Sequence, residues 1–313
     1  MNHFTQVADV SDIDALVKRA RMFKGNPTAA EHLGQHKTLI LVFFNPSLRT
    51  RLSTETAGTR LGMSVITMNA NQGWKLEFED QVIMNSDRAE HIREAAAVIS
   101  QYGDVIGIRT FPTLTDRDKD YQDHILNSFI RYAQVPVISL ESAIRHPLQS
   151  LTDVLTIEEF KKTSSPKVVL SWAPHPKALP QAVANSFVEW MRATDADLTV
   201  THPKGYELAP EFIGDVPVEH DQKKALADAD FVYVKNWSSY QDYGKVHSQD
   251  DSWMITPEKM ELTNRAFFMH CLPVRRNVVV ADKVIDGPQS LVIHQANNRQ
   301  WAAQAVLEHL LNQ

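Results

Sequence analysis

Short apolar and β-branched runs alternate along the chain with longer stretches in which apolar positions recur every three or four residues. The short runs predict strands at Lys37–Phe44, Ser64–Met68, Val105–Arg109, Val135–Ile138, Lys167–Trp172, Asp197–His202, Phe231–Val234, Ala266–Met269 and Leu291–His294. The longer stretches predict helices over Arg49–Leu61, Arg88–Gln101, Gln122–Tyr132, Leu148–Lys162, Leu179–Arg192, Lys223–Ala229 and Asn297–Asn312. Strand and helix in alternation signal an α/β chain with doubly wound parallel sheets. Val168–Trp172 and Phe231–Lys235 are apolar without strict alternation, which suits strands covered on both faces.

The pattern breaks near His146–Ser150, where about four strand–helix units end and a second series begins. Two domains are therefore expected, 1–145 and 146–296. The amphipathic C-terminal segment, about 297–313, carries Ala303, Ala305, Val306 and Leu310 or Leu311 on one side and is expected to pack back on the first domain. A length of 313 residues suits two domains.

Composition narrows the classes. At 43% hydrophobic and 22% charged, the chain reads as a soluble globular protein. A net charge of −6 gives no reason to expect nucleic acid as a partner. No apolar stretch reaches the length of a membrane span. The first dozen residues hold no apolar signal core, so a cytoplasmic location is expected. One cysteine, Cys271, excludes an intramolecular disulfide framework and an all-cysteine metal site.

The strongest local signal is the strand ending at Phe44, followed by Asn45-Pro46-Ser47-Leu48-Arg49-Thr50-Arg51. Ser47 is a natural N-cap. The first turn of the helix it starts offers unpaired N–H groups at the positive end of a dipole, which favours a bound anion. Arginine forks and hydroxyls in the same few residues match phosphate oxygens. A bare Ser-x-Arg-Thr is more often a capped surface helix; its place after an apolar strand and Asn-Pro favours an anion site. Nothing Gly-rich follows a strand, so neither a P-loop nor a dinucleotide fingerprint is present, and a nicotinamide oxidoreductase is a weak rival.

These residues resemble a family. Ser47-Leu48-Arg49-Thr50-Arg51 is similar to the Ser-Thr-Arg-Thr-Arg motif of aspartate and ornithine carbamoyltransferases. His146-Pro147-Leu148-Gln149, followed by Asp153, looks like the family's His-Pro-x-Gln segment. His270-Cys271-Leu272-Pro273 matches His-Cys-Leu-Pro of the ornithine branch, and Asn297-Asn298-Arg299 resembles its Glu-Asn-Arg segment. Arg109 sits where the family carries another phosphate-contacting arginine. Alone, His146 reads as a loop histidine, Cys271 as a small buried hydrophobe and Arg299 as a surface arginine. Their joint order over nearly the whole chain is far more specific.

The resemblance implies attack of a neutral amine on the carbonyl of carbamoyl phosphate, without metal or organic cofactor. It implies Ser47, the Leu48 N–H, Arg49, Thr50 and Arg109 on the phosphate, and Arg49, Thr50, His146 and Arg299 near the carbonyl oxygen. Gln149 would hold the carbamoyl NH₂, and Cys271 with the Leu272 carbonyl would orient the amine. An inactive paralogue acting as a binding module would be expected to lack one of Arg49, Thr50, His146 or Gln149, and all four are present.

Three departures concern the acceptor. Leu48 replaces the motif's threonine. Lys235, two residues before Trp237, stands where ordinary ornithine enzymes carry an aspartate for the α-ammonium, and Ser238-Ser239-Tyr240 replaces their Ser-Met-Gly loop. A lysine repels an ammonium and suits a carboxylate. The pattern resembles the acylornithine branch, which shares Trp74, the run Trp172–Pro180 and Arg275-Arg276-Asn277 after His-Cys-Leu-Pro. The acetyl type has a glutamate before the pair matching Glu90-His91 and a lysine after Arg-Arg-Asn; here Ala89 and Val279 stand there. Loss of that glutamate makes room for a second substrate carboxylate, which favours N-succinylornithine over N-acetylornithine, with ordinary ornithine behind both. Lys177, Lys235 and Arg275 are the partners expected for it, with Glu141, His175, Cys271 and Leu272 completing the acylornithine set. The bland reading of Ala89 is a helix former at the start of Arg88–Gln101. The resemblance further implies a homotrimer in which Trp74, read as an exposed aromatic beside Gly73, reaches a neighbour's site. It also implies a deep knot in the C-terminal domain at Pro174–Pro180.

Overall fold

The computed structural model describes residues 1–70 and 74–312, so Gly73 lies outside the described residues. The chain divides into two compact units: Met1–Thr113, Asp118–Leu148 and Arg299–Gln313 form one, Leu114–Arg117 and Gln149–Asn298 the other.

The first unit is built on four parallel strands, β1 (Thr38–Phe43), β2 (Ser64–Asn69), β3 (Val105–Arg109) and β4 (Val137–Glu141), in the order β2-β1-β3-β4. The interior strands are buried along nearly their whole length, as continuous apolar runs require. Ile40, Val42, Ile106 and Ile108 pack with Ala95, Ala96, Ile99 and Phe129 in one core. The helix after β1, Leu48–Arg60, approaches the sheet through Gly58, where a Cβ would stand 2.9 Å from Leu39 Cδ2. The chain runs from β1 out to β2 and then crosses to β3 on the other side. The strand order therefore switches between β1 and β3, and the carboxyl ends at such a switch are where ligands bind in open α/β sheets.

The second unit repeats the plan with five parallel strands, β5 (Lys167–Trp172), β6 (Asp197–Thr201), β7 (Val218–Glu219), β8 (Phe231–Lys235) and β9 (Phe267–Met269), ordered β9-β8-β5-β6-β7. Its switch lies between β5 and β8.

Four expectations need correction. Leu291–His294 is not a strand: Leu291 N donates to Phe268 O, and a helix, Val292–Leu311, begins at once. Three apolar residues in a row do not separate strand from helix. Val135–Ile138 shifts to Val137–Glu141, because Pro136 has no N–H for the ladder and the polar end, Ser139 and Glu141, faces a buried site. The helix expected from Arg88 begins only at Ile92, since Glu90–His91 pair as a short strand with Leu76–Glu77 and the His91 ring caps Arg93 N. Trp74 is not a freely exposed aromatic: it packs against the first core, and its indole N–H donates to Glu90 Oε2 at 2.9 Å.

Candidate functional site

In the first unit, β1 delivers the chain to the sheet's carboxyl edge, and Asn45-Pro46 ends the strand. Ser47 is extended (φ −151°), and its Oγ accepts the Thr50 N–H at 3.3 Å, so helix Leu48–Arg60 starts there. Leu48 is 68% exposed. Thr50 is buried, and its Oγ1 accepts from Arg299 Nη2 at 2.7 Å. Arg299 comes from the C-terminal helix. Two further contacts tie the same helices together: Arg60 Nη1 donates to Gln300 at 2.6 Å, and its guanidinium lies 4.4 Å from the Trp301 ring centre.

The neighbouring strands complete this edge. Register places Arg109 between Phe43 and Glu141. The Arg109 guanidinium donates to the carbonyls of Asn45 and Pro46 at 2.8 and 2.9 Å, and to Glu141 Oε2 at 2.8 Å. It stacks 4.3 Å over Phe111, and its buried Nε–H has no partner among the described residues. Arg109 thus fixes the turn before Ser47, whatever it also offers a ligand. Glu141, expected among the acceptor-binding residues, belongs to the first unit, where it neutralises Arg109 and lies 3.8 Å from His146 Nε2. A buried guanidinium without that carboxylate would carry a large desolvation cost. Ala89 is also in the first unit, exposed, its N–H bonded to Lys75 O.

In the second unit, Lys235 ends β8, Gln149 lies on helix Pro147–Phe160, and the loops after β5 and β9 carry His175, Lys177, Cys271, Leu272 and Arg275. Asn236 Nδ2 donates to Ala173 O at 2.6 Å, joining the loops that follow β8 and β5. Arg275 Nε–H donates to His175 Nε2 at 3.0 Å, and His175 Nδ1 lies 2.9 Å from Lys177 O. With Nε2 accepting from Arg275, a neutral ring carries its proton on Nδ1, which then donates to the Lys177 carbonyl and cannot accept the Lys177 N–H that lies 3.1 Å from it. Burial lowers the His175 pKa below the ordinary histidine value, and the charges of Arg275, Lys235 and Lys177 lower it further. Among the described residues, none of these three cations has a carboxylate partner.

The β9 loop turns sharply. Leu272 has φ 55°, a left-handed conformation uncommon for a side chain of its kind, and its N–H is held by His270 Nδ1 at 2.9 Å. The Leu272–Pro273 peptide is cis. Cys271 is buried and unoxidised. Behind this loop lies a polar cluster that sequence reading missed: Asp153, Gln295, His270 and Tyr233, all essentially without solvent exposure. Asp153 and His270 left a trace there, as the residue following the His-Pro-x-Gln segment and the first residue of His-Cys-Leu-Pro; Gln295 and Tyr233 left none. Among the described residues, no group of three His, Cys, Asp or Glu side chains is placed to hold a metal, and no helix is long and apolar enough to cross a membrane.

Both switch points thus gather polar groups suited to anions. Residues 2–159 match the family model "Aspartate/ornithine carbamoyltransferase, carbamoyl-P binding domain", and residues 180–310 match "Aspartate/ornithine carbamoyltransferase, Asp/Orn binding domain". The chain belongs to the aspartate/ornithine carbamoyltransferase family. Within it, the chain is 53% identical to the N-succinylornithine carbamoyltransferase of Bacteroides thetaiotaomicron, over 99% of both chains. It is 37% identical to the N-acetylornithine carbamoyltransferase of Xanthomonas campestris, over 100% of this chain and 98% of that one. Among solved structures, an N-acetyl-L-ornithine transcarbamylase with one glutamate replaced by alanine, complexed with carbamyl phosphate and N-succinyl-L-norvaline, superposes with a TM-score of 0.94. It is 37% identical and covers 99% of this chain and 100% of its own.

Proposed function

We propose that the protein transfers the carbamoyl group of carbamoyl phosphate to the side-chain amine of N-succinyl-L-ornithine, giving N-succinyl-L-citrulline and phosphate. The observation that carries the acceptor choice is the set of cations, Lys177, Lys235 and Arg275, that surround His175 with no carboxylate partner among the described residues. A free α-ammonium would be repelled there, and an added carboxylate is attracted. The relative named for N-succinylornithine supports the same reading. So does the glutamate-to-alanine variant holding the succinyl analogue, since Ala89 matches the acetyl type's glutamate in the sequence reading.

The N-terminus of helix Leu48–Arg60, with Ser47, the Leu48 N–H, Arg49, Thr50 and Arg109, holds the phosphate. Arg49, Thr50, His146 and Arg299 face the carbonyl oxygen as negative charge builds on it, and Gln149 takes the carbamoyl NH₂. Donors set in place beforehand stabilise that charge without reorganising. Cys271 and the Leu272 carbonyl orient the amine. Its nitrogen bonds to the carbonyl carbon, the carbon–oxygen bond to phosphate breaks, and the departing phosphate takes the amine proton. This reading carries with it a place in arginine biosynthesis and a cytoplasmic location. It also carries a homotrimer to which Trp74 contributes, and a chain knotted at Pro174–Pro180.

Carbamoyl phosphate is incubated with ornithine, N-acetylornithine and N-succinylornithine in parallel, and ureido product is measured. We expect the succinyl compound to be preferred at least tenfold. Preference for the acetyl compound overturns the acceptor choice and leaves the transfer chemistry standing; no product from any of the three overturns both.

A further inference from the structure

Asp153 lies on helix Pro147–Phe160, four residues after Gln149, and is completely buried. One of its oxygens, Oδ1, accepts from two amides, Gln149 Nε2 at 2.7 Å and Gln295 Nε2 at 2.6 Å. Gln295 in turn accepts the His270 N–H through its Oε1 at 3.0 Å, and His270 Nδ1 holds the Leu272 N–H. A buried acceptor that binds two side-chain amides fixes which end of each faces it. For Gln149 the NH₂ is drawn inward, so its carbonyl oxygen is turned away from Asp153. For Gln295 the oxygen is turned toward the β9 loop. Tyr233 sits beside Asp153 and Cys271 in the same pocket. Burial first, then the charge of Asp153, push its phenol well above the ordinary tyrosine range, so it remains a neutral hydroxyl next to the carboxylate.

Resting on the function proposed above, we infer that Asp153 is a positioning residue with two separable arms. Through Gln149 it presents an acceptor oxygen to the carbamoyl NH₂, and through Gln295 and His270 it sets the Cys271–Leu272 turn that receives the amine. It touches no reacting atom itself. Its effect is to select one of two amide orientations that would otherwise differ little in energy. The wrong orientation of Gln149 would set NH₂ against NH₂.

The arms separate in a binding experiment with two ligands, carbamoyl phosphate and acetyl phosphate, the second carrying a methyl group where the first has NH₂. The wild-type protein should bind carbamoyl phosphate more tightly. In Asp153→Leu that preference should fall about tenfold, the worth of one buried hydrogen bond, with acetyl phosphate affinity unchanged. Asp153→Asn, which keeps an acceptor oxygen in place, should restore most of it. Gln295→Met should keep the preference for carbamoyl phosphate and raise KM for the amine acceptor severalfold. It tests the second arm even if Asp153→Leu fails to fold. Equal weakening of both phosphates in a folded Asp153→Leu, or loss of the preference in Gln295→Met, would overturn the assignment. A wild-type protein that binds neither phosphate would instead overturn the function on which it rests.

Discussion

The two units carry the same architectural device and use it in opposite ways. Each is a parallel sheet with its strand order reversed next to the first strand, and each gathers polar residues at the carboxyl edge of that reversal. In the first unit the groups are mutually committed. A capped helix start supplies backbone donors, Arg109 is bound to two carbonyls and Glu141, and Thr50 is held by Arg299. In the second unit the cations Lys177 and Arg275 sit on loops and Lys235 at the end of β8, and all three lack carboxylate partners among the described residues. A tetrahedral phosphate has one shape, so a rigid cradle serves it. An acceptor's tail differs between relatives, and loop cations can be exchanged without disturbing a core.

Arginine replacements break this contrast most severely in the first unit. Arg49→Ala should lower turnover by roughly 10²–10³ or more, as removal of a preorganised donor does, with an unchanged thermal melt; near-normal activity would refute the phosphate assignment. Arg109→Met should cost stability as well, on the order of 3–5 kcal/mol, because Glu141 is left charged and buried without its partner. Denaturant titration measures it, and a loss below about 1 kcal/mol would show that the pair is not the clamp described here.

Arg275→Met should behave differently. KM for N-succinylornithine should rise roughly ten- to a hundredfold, the worth of a charge-assisted hydrogen bond, while KM for carbamoyl phosphate stays put. Stability should hold or improve, since one of several like charges is removed from the cluster. A comparable loss of stability in Arg109→Met and Arg275→Met would erase the distinction between a committed cradle and a free cluster. Ala89→Glu sharpens the same point with a smaller effect. It should reduce use of the succinyl compound several-fold relative to the acetyl one, and equal activity on both would remove Ala89 from the specificity argument.

Legibility followed range. The β1 strand, the Ser47 cap and helix Leu48–Arg60 are local events encoded in one short stretch, and the sequence alone locates them within a residue. The clamp on Pro46 by Arg109 spans 63 residues, and no local pattern reports it. The pairing of Glu141 with Arg109 is illegible for the same reason: a carboxylate at a strand end does not reveal which cation it will meet. The motif names Asp153 but not its buried role, because an aspartate in a helix ordinarily faces water. Its burial depends on Gln295, 142 residues away. Leu291–His294 failed on period, three apolar residues being too few to fix one. Lys177, Lys235 and Arg275 could be listed as a set only through the family resemblance, and their convergence on His175 is a tertiary fact.

The finest test of the contrast is the titration of His175. Free of ligand, the ring is held neutral by burial and by the surrounding cations, with Nε2 accepting from Arg275 and Nδ1 facing the Lys177 carbonyl. A carboxylate entering among Lys177, Lys235 and Arg275 offsets their charge, so the imidazolium becomes less unfavourable and the pKa rises. Binding must then take up a proton between the free and bound pKa values. Affinity for the succinyl compound therefore strengthens as pH falls through that window and is independent of pH above it. NMR titration of the ring, assigned with His175→Asn, should show a larger upward shift with N-succinylornithine than with N-acetylornithine. Equal shifts with the two compounds would place the second carboxylate elsewhere and leave the unpaired cations of the second unit without a ligand.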